Sequence, residues 1–183
     1  TTSLTQNSRT RQITLIGLMT AITCILAPLS IPLPFSPVPI SLTNLVIFIS
    51  VFILGMKDAT ISFLIYLLLG SVGLPVFASF HAGLSVLAGP TGGYLIGFIF
   101  LALIQGFAMK YFDRKLIPTI IGMLIGMAVC YIFGTVWLAK LMSLSFKEGL
   151  FMGVIPYLPG DAVKIIIAVI VGPKLYAATK KVR

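Results

Sequence analysis

Long apolar runs, separated by short polar, glycine-rich or proline-rich stretches, make up most of the chain. The runs that predict helices are 13–30, 41–54, 59–69, 94–112, 117–142 and 161–179. A helix that crosses a bilayer needs roughly 20 mostly apolar residues. The pattern therefore predicts an all-α integral membrane protein with about six transmembrane helices, folded as one domain over residues 1–183.

The stretches between these runs differ in character. The proline-rich stretch 31–39 cannot continue a helix, because proline lacks the amide donor, so we predict an ordered, extended loop there. Gly55 to Asp58 predicts a tight, charged turn. The stretch 70–93 is too apolar for a solvated loop and too rich in glycine and proline for a spanning helix. Irregular backbone at membrane depth survives only when it is buried in protein or lines a cavity, so we predict that this stretch folds back into the protein.

Composition supports the membrane assignment and argues against a nucleic-acid partner. Hydrophobic residues make up 58% of the chain, charged residues make up 9%, and the mean hydropathy is +1.12. The net charge of +9 could indicate binding to nucleic acid, but the basic residues sit singly at the ends of apolar runs. We therefore expect membrane lipid rather than nucleic acid around the protein.

The distribution of basic residues predicts the orientation. With a cytoplasmic N-terminus, the inner side receives Arg9, Arg11, Lys57, Lys110, Arg114, Lys115, Lys174, Lys180, Lys181 and Arg183. The other side keeps only Lys140, Lys147 and Lys164. Basic residues favour the cytoplasmic side, so both termini are predicted to be cytoplasmic. The proline-rich and glycine-rich connections then face outward, where together they could roof a pocket.

Asp161 and Lys164 are the principal candidates for chemistry, because ionisable groups in an apolar segment are costly and usually functional. Their spacing of three places them on one helix face. They could clamp a ligand, or Asp161 could simply cap the helix while Lys164 pairs with it. The run Gly89 to Phe98 could bind a polar ligand with backbone amides, or could serve only close helix packing.

Other candidates carry weaker signals. Tyr131, Gly134 and Trp137 share a helix face that suits an apolar ring, although such stripes more often serve packing. Gly17 and Ala21 form a small-xxx-small pair that lets another helix approach, from within the chain or from a partner. His81 is expected to be a hydrogen-bonded loop residue. The pattern predicts no catalytic centre, no metal site and no cofactor, and therefore no enzyme.

Four motifs, in order and spacing over nearly the whole chain, resemble the BioY family. They are Phe35-Ser36-Pro37-Val38-Pro39-Ile40-Ser41-Leu42, Gly73-Leu74-Pro75-Val76-Phe77, Gly89-Pro90-Thr91-Gly92-Gly93-Tyr94-Leu95-Ile96-Gly97-Phe98 and Pro159-Gly160-Asp161-Ala162-Val163-Lys164. The resemblance implies the fold and function of a biotin-specific S component of an energy-coupling-factor (ECF) transporter. It further implies six helices, biotin as the ligand, and docking onto a membrane coupling protein that is driven by a pair of ABC-type ATPases.

The resemblance and the residue chemistry together yield a set of predicted site residues. The predicted substrate-binding residues are Asp161, Lys164, Tyr94, Gly92, Gly93, Thr91, Ser79, Phe77, Thr43, Asn44, Trp137, Tyr131 and Tyr157. Gly17 and Ala21 would contact the coupling protein. The chain departs from the family pattern at Thr43-Asn44, where a glutamine is expected, and at 78–83, which is usually richer in glycine. Alternatives are an S component for thiamine or riboflavin, a membrane scaffold subunit in which Asp161 and Lys164 only lock helices together, and a solitary secondary transporter.

Overall fold

The computed structural model describes residues 2–181, and most of them are helical. The helices are α1 (Thr2–Leu26), α2 (Thr43–Leu54), α3 (Met56–Ser71), α4 (Leu84–Ala88), α5 (Gly92–Tyr111), α6 (Leu116–Met142), α7 (Phe146–Gly153) and α8 (Leu158–Lys181). Strands β1 (Ser30–Leu33) and β2 (Ser36–Ser41) form a hairpin, and 3-10 turns occur at Ala78–Phe80 and Ile155–Tyr157. The predicted helical runs are all present, but several boundaries differ.

Five helices begin earlier than predicted, by one or two residues in α5 and α6 and by more in α1, α3 and α8. Helix α1 already begins at Thr2, because no proline or glycine interrupts the polar residues before the apolar run. The predicted turn from Gly55 to Asp58 is wrong: Gly55 alone breaks the chain, with φ of 83°, and Asp58 lies in the first turn of α3. A carboxylate is favourable there because it faces the positive end of the helix dipole. Helix α8 begins at Leu158, since Pro159 is tolerated in a first turn whose amides have no intrahelical acceptor.

The proline-rich stretch is a β-hairpin and not merely an extended loop. Ser30 pairs with Ser41 and Ile31 pairs with Ile40 in an antiparallel ladder that is irregular between Ile31 and Leu33. Proline is accepted at the edges of sheets and at such irregularities, where its missing amide costs no ladder hydrogen bond.

The stretch 70–93 folds back onto the bundle, as predicted. The amide of Gly83 donates to the carbonyl oxygen of Gly70 at 2.7 Å, and the amide of Ser79 donates to that of Pro28 at 3.1 Å. The ring of Phe77 is 1% exposed and lies so close to Gly70 that a Cβ there would be 2.3 Å from it. These contacts bring the stretch against α3 and against the connection between α1 and the hairpin.

Helices α5 and α6 pack closely because glycines line their contact. A Cβ built on Gly97 would lie 3.0 Å from the Cα atom of Cys130, and one on Gly126 would lie 3.1 Å from that of Leu101. Small residues allow backbones to approach in this way in membrane proteins. Helix α2 packs against α8, where Gly172 admits the ring of Phe52.

Within residues 2–181, three stretches are long and apolar enough to cross a membrane. They are Gly92–Tyr111, Leu116–Met142 and Phe146–Lys180, and α2 is a shorter apolar helix. The chain is therefore a membrane protein. The predictions of about six spans and of cytoplasmic termini remain predictions.

Candidate functional site

A cavity of about 440 Å³ lies where the hairpin, the segment 77–91 and the first turns of α2, α5 and α8 meet. Its volume is in the range typical of small-molecule sites. The structure brings together on its walls ten of the thirteen predicted substrate-binding residues: Thr43, Asn44, Phe77, Ser79, Thr91, Tyr94, Tyr131, Tyr157, Asp161 and Lys164. Residues far apart in the chain thus share one cavity.

Asp161 is the centre of a hydrogen-bond network on this wall. Asp161 is only 7% exposed, and its Oδ1 atom lies 2.9 Å from Lys164 Nζ. Asn44 Nδ2 donates to the same oxygen at 2.7 Å, and the hydroxyl of Tyr131 donates to Oδ2. Asp161 lies inside the first turn of α8 and receives these bonds from side chains, so it does not act as a helix cap. A buried carboxylate is stable only when it is paired and hydrogen-bonded in this way.

Lys164 directs each of its hydrogen-bond donors to an acceptor of the protein. Its Nζ atom lies 2.7 Å from the Ser41 carbonyl oxygen, 3.0 Å from Asn44 Oδ1 and 2.9 Å from Asp161 Oδ1. An ammonium has three donors, so these acceptors use all of them. The lysine thereby joins the end of β2, the start of α2 and the start of α8.

Two tyrosines shape the rest of the cavity. The ring of Tyr94 lies against α6 at Gly134, where a Cβ would be 2.3 Å from it, and its hydroxyl reaches Gly153 at the end of α7. Tyr157 donates to Ser36 Oγ at 2.8 Å and also contacts the carbonyl oxygen of Val38. Tyr157 therefore attaches β2 to the connection between α7 and α8.

Gly92, Gly93 and Trp137, the other predicted binding residues, lie behind the wall and do not line the cavity. A Cβ on Gly93 would be 2.3 Å from the Trp137 Cβ, and one on Gly92 would be 1.8 Å from the Leu87 carbonyl oxygen. Trp137 Nε1 donates to the carbonyl oxygen of Gly89 at 3.0 Å. These residues hold the end of the segment 77–91 against α6, because only glycine leaves room for the approach.

The cavity also contains residues that the sequence did not indicate as ligand contacts. Phe98 and Met127 are apolar lining residues, which the periodicity does not distinguish from ordinary core residues. The Ser41 carbonyl oxygen is a backbone atom and carries no sequence signal. His81 forms the predicted loop hydrogen bond, with Nδ1 2.8 Å from the Ala78 carbonyl oxygen, and it lines the cavity as well.

Comparisons with known proteins match the chain over almost its whole length. The sequence model described as the BioY family matches residues 2–181. The "Biotin transporter BioY2" of Lactococcus lactis subsp. cremoris is 32% identical over 173 residues, which cover 94% of each chain. The "Biotin transporter BioY" of Thermotoga maritima is 34% identical over 165 residues, which cover 90% of this chain and 95% of the relative.

A solved structure has the same fold. It is described as a crystal structure at 2.1 Å of the S-component for biotin from an ECF-type ABC transporter, and it matches with a TM-score of 0.86. The two chains are 31% identical, and the match covers 92% of each. Family, relatives and fold agree over almost the whole length, and the chain therefore belongs to the BioY family.

Proposed function

We propose that this chain is a multi-pass protein of the prokaryotic plasma membrane that captures biotin outside the cell as the S component of an ECF-type transporter. The named relatives and the structural match support the ligand and the transporter class. The observation that carries the proposal is the buried, hydrogen-bonded Asp161 on the wall of a cavity of about 440 Å³. It supplies a polar contact of the kind that a vitamin with a ureido group requires.

The free lone pairs of Asp161 support a contact between this residue and the ureido group. A carboxylate offers about four acceptor positions. Oδ1 already accepts from Asn44 and Lys164, whereas Oδ2 accepts only from Tyr131. One position on Oδ2 therefore remains for a ureido N–H of biotin. Lys164, with its donors engaged, holds the carboxylate in place for that contact.

The apolar part of biotin fits the other walls. Phe98 and Met127 line the cavity together with the rings of Tyr94 and Tyr131. Burying an apolar body the size of a side chain contributes roughly 1.5–3 kcal/mol, and each charge-assisted hydrogen bond contributes a similar amount. A few polar contacts are therefore sufficient for tight binding.

Isothermal titration of the purified protein with biotin tests the proposal. We expect binding below micromolar concentrations, and we expect Asp161→Asn to weaken it roughly 10- to 150-fold, because a charge-assisted bond is lost. Asp113→Asn is the matched control: Asp113 lies in the exposed loop after α5 with φ of 48°, a conformation that asparagine also accepts. Absence of biotin binding, or preference for thiamine or riboflavin in competition, would contradict the proposal.

The partner in this proposal is a membrane coupling protein with its pair of ABC-type ATPases, and α1 offers a surface for it. Ile13, Gly17, Ala21 and Ile25 follow one another at intervals of four along an exposed face. A Cβ on Gly17 would have no atom within 4 Å, so no described helix of the chain packs there. This ridge of small residues between two isoleucines would let a partner helix approach closely.

Gly17→Leu should therefore abolish biotin uptake and co-purification with the coupling protein. Binding of biotin to the isolated subunit should remain unchanged, because Gly17 lies outside the cavity. Ala177→Leu, which adds three carbon atoms rather than four at an exposed position of α8, is the control and should leave uptake intact. Normal uptake by the Gly17→Leu variant would place the docking surface elsewhere.

A further inference from the structure

His81 lies on the wall of the same cavity as Asp161 and Lys164, in the segment 77–91. Its Nδ1 atom is 2.8 Å from the carbonyl oxygen of Ala78. A carbonyl oxygen can only accept, so Nδ1 must carry the proton in this bond. The Nε2 atom is thereby the ring nitrogen that remains for a ligand, and the loop bond holds the ring in a defined orientation.

The biotin tail ends in a carboxylate, which needs a positively charged partner when it is partly buried. Of the residues that line the cavity, Lys164 and His81 are the ones that can carry a positive charge. Lys164 has its donors on Ser41, Asn44 and Asp161. Its charge is also already compensated by Asp161 at 2.9 Å. His81 has neither constraint.

We infer that His81 binds the carboxylate of the biotin tail through Nε2 as an imidazolium, so that biotin binding takes up a proton. This inference rests on the proposed function and assigns the second polar contact of the same site. Hydroxyl groups of Ser85 and Thr91 lie on the same wall and can add neutral donors to the carboxylate. Ser79 also lies on this wall, but its Oγ atom is already hydrogen-bonded to Ser30 Oγ at 2.8 Å, so we do not count it among these donors.

The surroundings of His81 contain few other groups that titrate. The hairpin and its flanks, 28–42, and the segment 70–93 contain no Asp, Glu, Lys, Arg, Tyr or Cys. Helix α3, against which the segment packs, contributes the buried Tyr66. The remaining titratable groups on the cavity wall are Asp161, Lys164, Cys130, Tyr94, Tyr131 and Tyr157. Because Asp161 and Lys164 neutralise each other, the charge that the ligand brings dominates at His81.

The sign of the pH dependence follows from this charge. An anion beside the ring favours the imidazolium, so the complex binds more protons than the free protein, and affinity rises as the pH falls. Histidine side chains change charge between about pH 5 and 8. Carboxylic acids titrate near pH 4, so the tail stays ionised through this range.

Titration calorimetry with biotin and with its neutral amide, at several pH values between about 5.5 and 8, tests the inference. Biotin should bind about two- to fivefold more tightly at the acidic end, the range expected for a solvent-accessible charge pair. Its amide should lack this gain, because it has no anionic tail. Any titration of Asp161 would affect both ligands alike and would cancel in their ratio.

His81→Asn is the informative variant, since the asparagine amide can still donate to the Ala78 carbonyl oxygen while the charge is lost. In this variant the affinity ratio of biotin to its amide should no longer change with pH. A ratio that is flat in the wild-type protein, or that still changes in the variant, would overturn the assignment of His81. Failure to bind biotin at every pH would instead overturn the proposed function, so the two failures are distinguishable.

Discussion

Two sides of the cavity are held together in different ways. The polar wall, formed by Asn44, Asp161 and Lys164, is buried, and each of its two charged side chains has several protein partners. The roof, formed by the hairpin β1–β2, is largely exposed at its turn. Lys164 holds only the end of β2, at Ser41, and hydroxyl groups attach the rest of the hairpin. Ser30 Oγ meets Ser79 Oγ at 2.8 Å, and Tyr157 holds β2.

The polar wall and the roof differ in the kind of group that is left without a partner when one side chain is removed. In the polar wall, a lost partner leaves a buried charge that neither water nor lipid can compensate. In the roof, a lost hydroxyl leaves only neutral groups without a partner, which costs less than an unpaired charge. The polar wall should therefore resist change as one unit, while the roof should open locally, as a gate for a ligand must.

The largest effect is expected from Lys164→Met, which leaves Asp161 buried without its counter-ion. The ligand-free protein should lose about 3–5 kcal/mol of unfolding free energy. The double variant Asp161→Asn with Lys164→Met should be less destabilised than the single one, because no unpaired charge remains, and it should fail to bind biotin. Equilibrium unfolding in detergent micelles measures the stability.

A double variant that is less stable than Lys164→Met would contradict this prediction. It would favour the scaffold alternative, in which the pair serves mainly to lock α2 and α8 together.

An intermediate effect is expected from Gly134→Ala, on the α6 side of the cavity between the polar wall and the roof. The new Cβ would lie 2.3 Å from the ring of Tyr94, which would have to move toward the cavity. Overpacking of this kind costs about 1–3 kcal/mol, and biotin affinity should fall with it. Gly160→Ala is the control, since a Cβ there has no atom within 4 Å, and it should leave both quantities unchanged or slightly improved.

The smallest effect on stability is expected from Tyr157→Phe, which removes the hydroxyl that holds the roof. The loss should be about 1 kcal/mol, the usual net value of a hydrogen bond. Biotin should dissociate faster, and the amides of β2 should exchange faster with solvent, while those of α2 and α8 should not. Stopped-flow kinetics and hydrogen exchange measure these changes.

Tyr111→Phe provides the comparison for that experiment, because Tyr111 is 69% exposed at the end of α5. Equal acceleration of exchange in β2 and in α2 would contradict this prediction, because it would show that the roof and the polar wall open together.

The sequence predicted more of the polar wall than of the roof. Asp161 and Lys164 were predicted to share a helix face, and their 2.9 Å contact confirms this. Their contact with a ligand stays a prediction. Asn44 was predicted as a site residue through the family resemblance alone, because its contact with Asp161 joins residues 117 positions apart. The prolines of 31–39 correctly excluded a helix but did not indicate the pairing of Ser30 with Ser41.

The two glycines that follow the segment 77–91 also show that a local pattern does not identify the distant group it contacts. The pattern around Gly92 and Gly93 indicated close approach, but it did not say whether a ligand or a helix approaches. The structure places Trp137 and Leu87 there, so the glycines shape the wall from behind.

The sequence by itself determined that this is a helical membrane protein with an ionisable pair in an apolar segment, because hydrophobic length and local spacing depend only on neighbours along the chain. Only the tertiary structure decided which hydrogen-bonding atoms of that pair are already engaged. Those partners come from the end of β2, the start of α2 and the middle of α6, and contacts between distant segments exist only once the helices have packed.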